Sequence, residues 1–244
     1  MDKAKTFRTS AVILASGSGA RFGSDDCPKH LTKIGGVPVI IWTLNSVLDS
    51  KIFNKVVIVT KKSDLAPTNM IISEFFDSKK LGLLSAIGGD ERIESFFNGV
   101  LEISRSEKIN NNDLIALIDA NRPFCSVQQI LDLNNLACEY GCSCPARPVV
   151  NGVAKISKNT ITDVPDKEKY VEFVTPEFIQ YEILKKSKNK AYKSLVEYSL
   201  GMSIQPRFIA SSELNSKLTY PEDLYFLESV ASKYNIPEPT KKNE

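Results

Sequence analysis

Short apolar runs recur along this chain with room for one helix between them, and that alternation restricts the fold more than any other feature. Residues 11–15, 55–60, 81–87 and 113–120 each read as a buried strand bounded by turn residues. Between them, residues 39–48, 69–76 and 92 to about 103 carry apolar side chains at helical spacing, with Trp42 expected at the edge of the first helix's buried face. A helix over 127–140 and a strand over about 142–149 continue the series. This pattern predicts an α/β fold of Rossmann-like kind: a mostly parallel twisted sheet flanked by helices. The 244 residues suffice for one such domain, with a substantial core.

Ligands of these sheets bind outside the carboxyl ends of the strands, and three segments gather there. After the first strand comes Ser16-Gly17-Ser18-Gly19, whose glycines let backbone N–H groups approach an anion closely. Arg21 follows, and Pro28 sets the bend that carries Lys29. The Walker pattern needs Gly-Lys-Ser/Thr, which is missing. The dinucleotide fingerprint needs glycine where Phe22 stands, which disfavours an NAD-linked oxidoreductase. Gly88-Gly89-Asp90-Glu91-Arg92 follows the third strand. Asp119-Ala120-Asn121-Arg122 follows the fourth. Asp119 ends an apolar strand, where a carboxylate needs a cation or a metal; a cap or an ion pair with Arg122 is the structural alternative.

A net charge of +2 gives no general attraction to nucleic acid or anionic membrane. His30 is the one histidine, so histidine-based zinc sites are excluded; it reads either as a neighbour of the ligand or as a surface residue. The five cysteines form no Cys-x-x-Cys pair, and Cys142 and Cys144 are expected to be buried on one strand face. The first ten residues lack a signal-peptide core, and no 18-residue apolar run occurs, so we expect a cytoplasmic protein with reduced thiols.

Beyond residue 149 the pattern changes. Residues 149–156 and 167–173 alternate and lack an intervening helix, which predicts a β-hairpin arm over about 149–175. An isolated hairpin is marginal in water, and a second subunit is its simplest support. Thr175-Pro176-Glu177 reads as a helix start with proline at the first helical position. Lysines 185, 186, 188, 190 and 193 read as a solvated face. A strand over 203–210, a helix from about 218 and a polar tail over 237–244 complete the chain.

Taken in order, LASGSGARFG, CPKHL, GGDERIES, IDANRPF, FVTPEF and SKLTYPEDL resemble the cytidylyltransferases that make CDP-alditols, those acting on 2-C-methyl-D-erythritol 4-phosphate or ribitol 5-phosphate. The resemblance runs from about residue 11 to 230. It implies one cytidylyltransferase domain over 1–244 and a homodimer joined by the 149–175 arm. It implies CTP wrapped by Ala15, Ser16, Gly17, Ser18 and Gly19, with Gly89, Asp90 and Ser95 at the cytosine and ribose end. Arg21, Lys29 and Lys217 become the catalytic cations, and Asp119 the ligand of Mg²⁺ or another divalent cation. Arg122, Thr175 and the partner's copy of Lys167 would meet the acceptor.

The acceptor side departs from the family pattern. The family's Asp-Thr on the arm is Asn151-Gly152 here, its arm arginine is Lys167, and Thr-Pro-Gln has become Thr175-Pro176-Glu177. Asn121 stands where an alanine is usual, and Thr-Asp-Glu is lost near 190–192. We therefore expect CMP transfer from CTP to a polyol phosphate other than methylerythritol phosphate. Methylerythritol phosphate itself is the alternative acceptor, and a nucleotide-binding homologue without turnover is the rival from another class.

Overall fold

The computed structural model describes residues 7–17, 19, 21–23, 27–186, 191–233 and 240–241. The strands are β1 (Thr9–Leu14), β2 (Lys33–Ile34), β3 (Val37–Pro38), β4 (Phe53–Thr60), β5 (Leu83–Ile87), β6 (Leu114–Asp119), β7 (Cys142–Pro148), β8 (Lys155–Ser157), β9 (Thr160–Asp163), β10 (Val171–Phe173), β11 (Glu177–Gln180) and β12 (Arg207–Ala210). The helices are α1 (Val39–Asp49), α2 (Leu65–Phe75), α3 (Arg92–Ser106), α4 (Val127–Tyr140), α5 (Tyr181–Lys186), α6 (Leu195–Gly201) and α7 (Asp223–Lys233).

The main sheet runs β10-β7-β11-β6-β1-β4-β5, with β12 on the other edge of β7. β6, β1, β4 and β5 are parallel neighbours. After β1 the chain adds β4 and β5 on one side, and β6 on the other. The order therefore reverses at β1, and the crevice between β1 and β6 opens there. Helices cover both faces, which is why β1 is apolar at consecutive positions. Ala11 and Ile13 pack with Ile40, Ile41 and Leu44 of α1, while Val12 packs with Phe96, Val100 and Ile103 of α3. Gly99 lets α3 lie close on the sheet: a Cβ there would stand 2.5 Å from Val12 Cγ1. Among the described residues, no helix is long and apolar enough to cross a membrane.

Several local expectations are corrected. Thr175-Pro176-Glu177 does not begin a helix. Residues 177–180 form β11, inserted antiparallel between β6 and β7, and the helix starts only at Tyr181. Phe178 and Ile179 are both fully buried, one in each core, so the segment shows no alternation that would mark it as a strand. In the arm, residues 149–156 and 167–173 do not pair with each other. β8 pairs with β9, and β10 extends the main sheet along β7 through Glu172↔Arg147. Trp42 is buried, donating to the Ile34 carbonyl at 3.2 Å and meeting Phe124 edge-on. His30 is not at the surface: it is buried, with its Nε2 2.8 Å from Thr68 Oγ1, and it lines the cavity described below, which leaves the reading as a neighbour of the ligand.

Other expectations hold. Cys142 and Cys144 are buried, and the five cysteines form no disulfide. Burial pushes the Cys144 thiol up to about 12, so it behaves as a small neutral hydrophobe. Lys185, Lys186 and Lys193 are exposed; Lys188 and Lys190 lie outside the described residues, as does most of the tail.

Candidate active site

β1 and β6 end together, with Leu14 in register with Asp119, so the glycine loop and the strand-end acid leave the sheet side by side. Ala15 N–H still bonds to Val59 O at 2.7 Å before the chain turns away. Gly19 has a φ of 70°, a backbone state that favours glycine. Lys29 then opens a single 3-10 turn behind Pro28. The turn after β5 closes on this loop. A Cβ on Gly88 would lie 2.6 Å from Ser16 Cβ and 2.8 Å from Ser95 Oγ, so only glycine fits. Ser95 links the two segments: its hydroxyl is 2.9 Å from Ser16 Oγ and accepts from Gly89 N–H at 3.1 Å.

Asp119 is buried and ringed by cations. Lys217 Nζ donates to Oδ2 at 2.8 Å, Arg122 Nε lies 3.6 Å from the same oxygen, and Arg92 Nη2 lies 3.4 Å from Oδ1. Burial alone would raise its pKa. Lys217, Arg92 and Arg122 more than reverse that and hold the acid well below the usual carboxylate range. Lys217 reaches this place because its loop is clamped by Asn121, whose backbone carbonyl accepts from Leu218 N–H at 2.9 Å while its side-chain amide donates to Leu218 O at 2.6 Å.

These elements enclose a cavity of about 310 Å³. Most of the residues expected at the nucleotide line it. Ala15, Ser16, Gly17 and Gly19 come from the loop, and Gly89, Asp90 and Ser95 from the turn after β5. Arg21, Lys29, Asp119 and Lys217 complete the set. Ser18 lies outside the described residues. Lys29 is pushed below its ordinary pKa, first by burial and then by Lys217 and Arg21, with Asp119 and Asp223 opposing them.

The three residues assigned to the acceptor do not line this cavity. Arg122 is buried behind Asp119, its Nη1 donating to Asn215 O at 2.7 Å. Thr175 is buried too, and its hydroxyl accepts from Asp119 N–H at 3.3 Å. Both therefore support Asp119 in this chain and do not line the cavity. Lys167 sits on the exposed arm, donating to Val150 O at 3.1 Å. The sequence reading passed over Arg92, which lines the cavity wall, although it lies three residues before Ser95 and so shares its helix face. Glu177, which faces Arg92 at 3.5 Å, is marked in the sequence only as a departure from the family's Thr-Pro-Gln, which does not point to Arg92.

Comparison with known proteins agrees with this geometry. The family model described as IspD, 2-C-methyl-D-erythritol 4-phosphate cytidylyltransferase, matches residues 9–233. A protein of that name from Clostridium botulinum is 27% identical, covering 92% of this chain and 99% of its own length. One from Dictyoglomus thermophilum is 28% identical over 92% of this chain and 97% of its own. Among solved structures, a 4-diphosphocytidyl-2C-methyl-D-erythritol synthase superposes with a TM-score of 0.75 at 20% identity, covering 91% of this chain and 98% of the other. The synthase from Anaerococcus prevotii gives 0.73 at 20% identity, with 93% and 96% covered. A crevice at the reversal of strand order, a glycine loop beside a strand-end acid, and a family match across that whole framework lead to one conclusion: this chain belongs to the IspD family and is a CTP-dependent cytidylyltransferase.

Proposed function

We propose that this enzyme transfers CMP from CTP to an alditol phosphate other than methylerythritol phosphate, giving a CDP-alditol and pyrophosphate. The observation that carries the nucleotide half is the convergence of Arg21, Lys29, Arg92 and Lys217 with ionised Asp119 on one cavity. An acceptor phosphate oxygen attacks the α-phosphorus, and the bond to the bridging oxygen breaks as pyrophosphate leaves. A phosphomonoester has a second pKa of about 6, so its dianion is already the nucleophile at neutral pH. No general base is required, in accord with a site whose nearest histidine is tied to Thr68. The residues position the reactants and neutralise charge. Gly89, Asp90 and Ser95 would read the base and ribose, and Lys29, Arg21 and Lys217 would meet the phosphates.

Magnesium is part of the proposal, with Asp119 as its protein ligand. Among the described residues, no three His, Cys, Asp or Glu side chains form a metal cage. A lone ionised carboxylate suits a cation held mainly by phosphate oxygens, as Mg²⁺ usually is. Bound there, it would screen the α-phosphate and the leaving pyrophosphate.

The acceptor half rests on the arm. Asn151-Gly152 offers neither an acid nor a hydroxyl, and Lys167 is a point charge that cannot fork onto a phosphate. Exposed Val150, Ile156, Ile161 and Val164 support docking of the arm on a second copy, which would bring Lys167 to the partner's acceptor pocket. Methylerythritol phosphate is the second reading, favoured by the names of the relatives. The test is pyrophosphate release from CTP with methylerythritol, erythritol, glycerol and ribitol phosphates. We expect fastest turnover with one of the last three. Efficient use of methylerythritol phosphate would establish the second reading, and CTP binding without turnover on any acceptor would identify a non-catalytic homologue.

A further inference from the structure

Glu177 is a buried carboxylate, 1% exposed, that the chemistry above does not use. Its Oε2 accepts the backbone N–H groups of Leu195 at 2.7 Å and Val196 at 3.2 Å, in the first turn of α6. Its Oε1 faces Arg92 Nη2 at 3.5 Å, and the same nitrogen lies 3.4 Å from Asp119 Oδ1. Arg92 Nη1 donates to the Lys193 carbonyl at 3.3 Å. One guanidinium is thus stretched between two buried acids and a carbonyl, at the wall of the nucleotide cavity. A closed charge-assisted bond would be about 2.7–2.9 Å. Both contacts are longer, so Arg92 is shared and not committed to either acid.

The geometry points to Glu177 as a positioning residue that holds Arg92 at the cavity wall and keeps its fork from closing bidentately on Asp119, so that Oδ1 carries one long contact, at 3.4 Å, and stays available to a cation–triphosphate. An arginine next to one carboxylate tends to close on it bidentately. A second acid on the far side, fixed by two N–H bonds from α6, balances that pull. With a dication held at Asp119, Arg92 would keep Glu177 as its counter-charge and stay in place to meet phosphate. This inference rests on the reading that Asp119 meets metal and CTP.

The test compares Glu177→Gln, Arg92→Gln and the double variant in the full chain, by Mg²⁺ titration of pyrophosphate release and by calorimetry of CTP binding in Mg²⁺. Glutamine, the family's usual residue at this position, can still accept the α6 N–H groups but carries no charge to balance Arg92, so the loss expected here is specific to a chain that has come to rely on the acid. In the wild-type background Glu177→Gln should raise the Mg²⁺ needed for half-maximal rate, and weaken CTP binding, by about ten-fold. In the Arg92→Gln background it should change either by less than about two-fold. Equal losses in both backgrounds would reduce Glu177 to a cap on α6 and overturn the inference, as would an unchanged Mg²⁺ response. Should Glu177→Gln fail to fold, Arg92→Lys serves: it keeps the charge, cannot span both acids, and must shift the Mg²⁺ response in the same direction. Wild-type enzyme that bound no CTP would defeat the underlying reading. CTP binding with unaltered variants would defeat only this inference.

Discussion

Lys217 has a side chain one-third exposed, yet it holds the most constrained acid of the site. Its removal leaves Asp119 paired with Arg92 and Arg122, so the fold should tolerate Lys217→Ala. Turnover should not. In the proposed reaction Lys217 and Lys29 would face charge that builds as pyrophosphate departs, and loss of one such contact costs on the order of 10²–10³ in rate. We expect either alanine variant to melt near the wild-type temperature with kcat reduced by that factor; near-normal kcat would remove both residues from the mechanism. His30 makes a different prediction. Burial lowers its pKa to about 4, from 6.5 in the unfolded chain. Above pH 6.5 both states are neutral there. Between 6.5 and 4 only the unfolded chain takes up the proton, so stability falls as pH drops through that window, by up to about 3 kcal/mol. Asp119, held below its usual range, loses its contribution only at still lower pH, and Glu177, raised by burial, acts in the opposite sense. His30→Gln should therefore flatten the fall in urea midpoint between pH 7 and 4.5, and parallel curves would contradict the assignment. Asp119, Lys29 and Lys217 were legible in the sequence because each sits in a local motif. The roles of Arg122 and Thr175 behind Asp119, and of Glu177 beside Arg92, were not, because they depend on which strand lies next to β6.

At the scale of elements, the decisive contact is between two turns. Gly88 and Ser16 follow strands that are not neighbours, since β1 and β5 flank β4, yet Gly88 lies against the Ser16 side chain, where a Cβ would stand 2.6 Å from Ser16 Cβ. Gly88→Ala would drive a methyl into Ser16 and Ser95, costing about 1–3 kcal/mol of stability by overpacking and displacing the loop that would receive phosphate in the proposed reaction. We expect CTP affinity measured by calorimetry to fall at least about ten-fold, and adding Ser16→Gly to recover a good part of it. No recovery would mean that the loop is not the element displaced. The sequence signalled the parallel strands β1, β4, β5 and β6 and the helices between them through apolar periodicity. It misled at β11, where four residues following a proline satisfy a helix-start pattern equally well. Only pairing with β6 on one side and β7 on the other decides for a strand, and no local pattern records those partners. The arm failed for the same reason. Alternation predicts an extended ribbon over 167–173, but Lys167–Lys169 form a 3-10 turn and only Val171–Phe173 a strand, which pairs with β7 while β8 turns back on β9.

At the scale of the whole molecule, the arm carries the argument for a partner. β8 and β9 form a two-stranded sheet of their own, and such a ribbon buries too little apolar surface to offset the entropy of ordering it. Along the arm Val150 is 81% exposed, Ile156 68%, Ile161 64% and Val164 70%, while Tyr170, Val171 and Phe173 add apolar surface nearer the sheet. An apolar surface of this kind marks an interaction site, and a stable interface removes about 800 Å² from each partner. A second copy offers the same arm and the same sheet edge, so a symmetric pair can cover both surfaces at once. We predict a homodimer, with light scattering giving twice the 27.1 kDa chain mass. The paired substitution Ile156→Asp and Ile161→Asp places charge on that surface and should yield a folded monomer. Because Lys167 would then lose the partner's pocket, the acceptor KM should rise while CTP affinity, which depends on β1, β5 and β6 of one chain, stays near wild type. A wild-type monomer in solution would overturn the role given to the arm. A dimer that survives both aspartates would move the interface elsewhere, and a monomeric variant with unchanged acceptor KM would show that each subunit's acceptor pocket is complete without Lys167 from its partner.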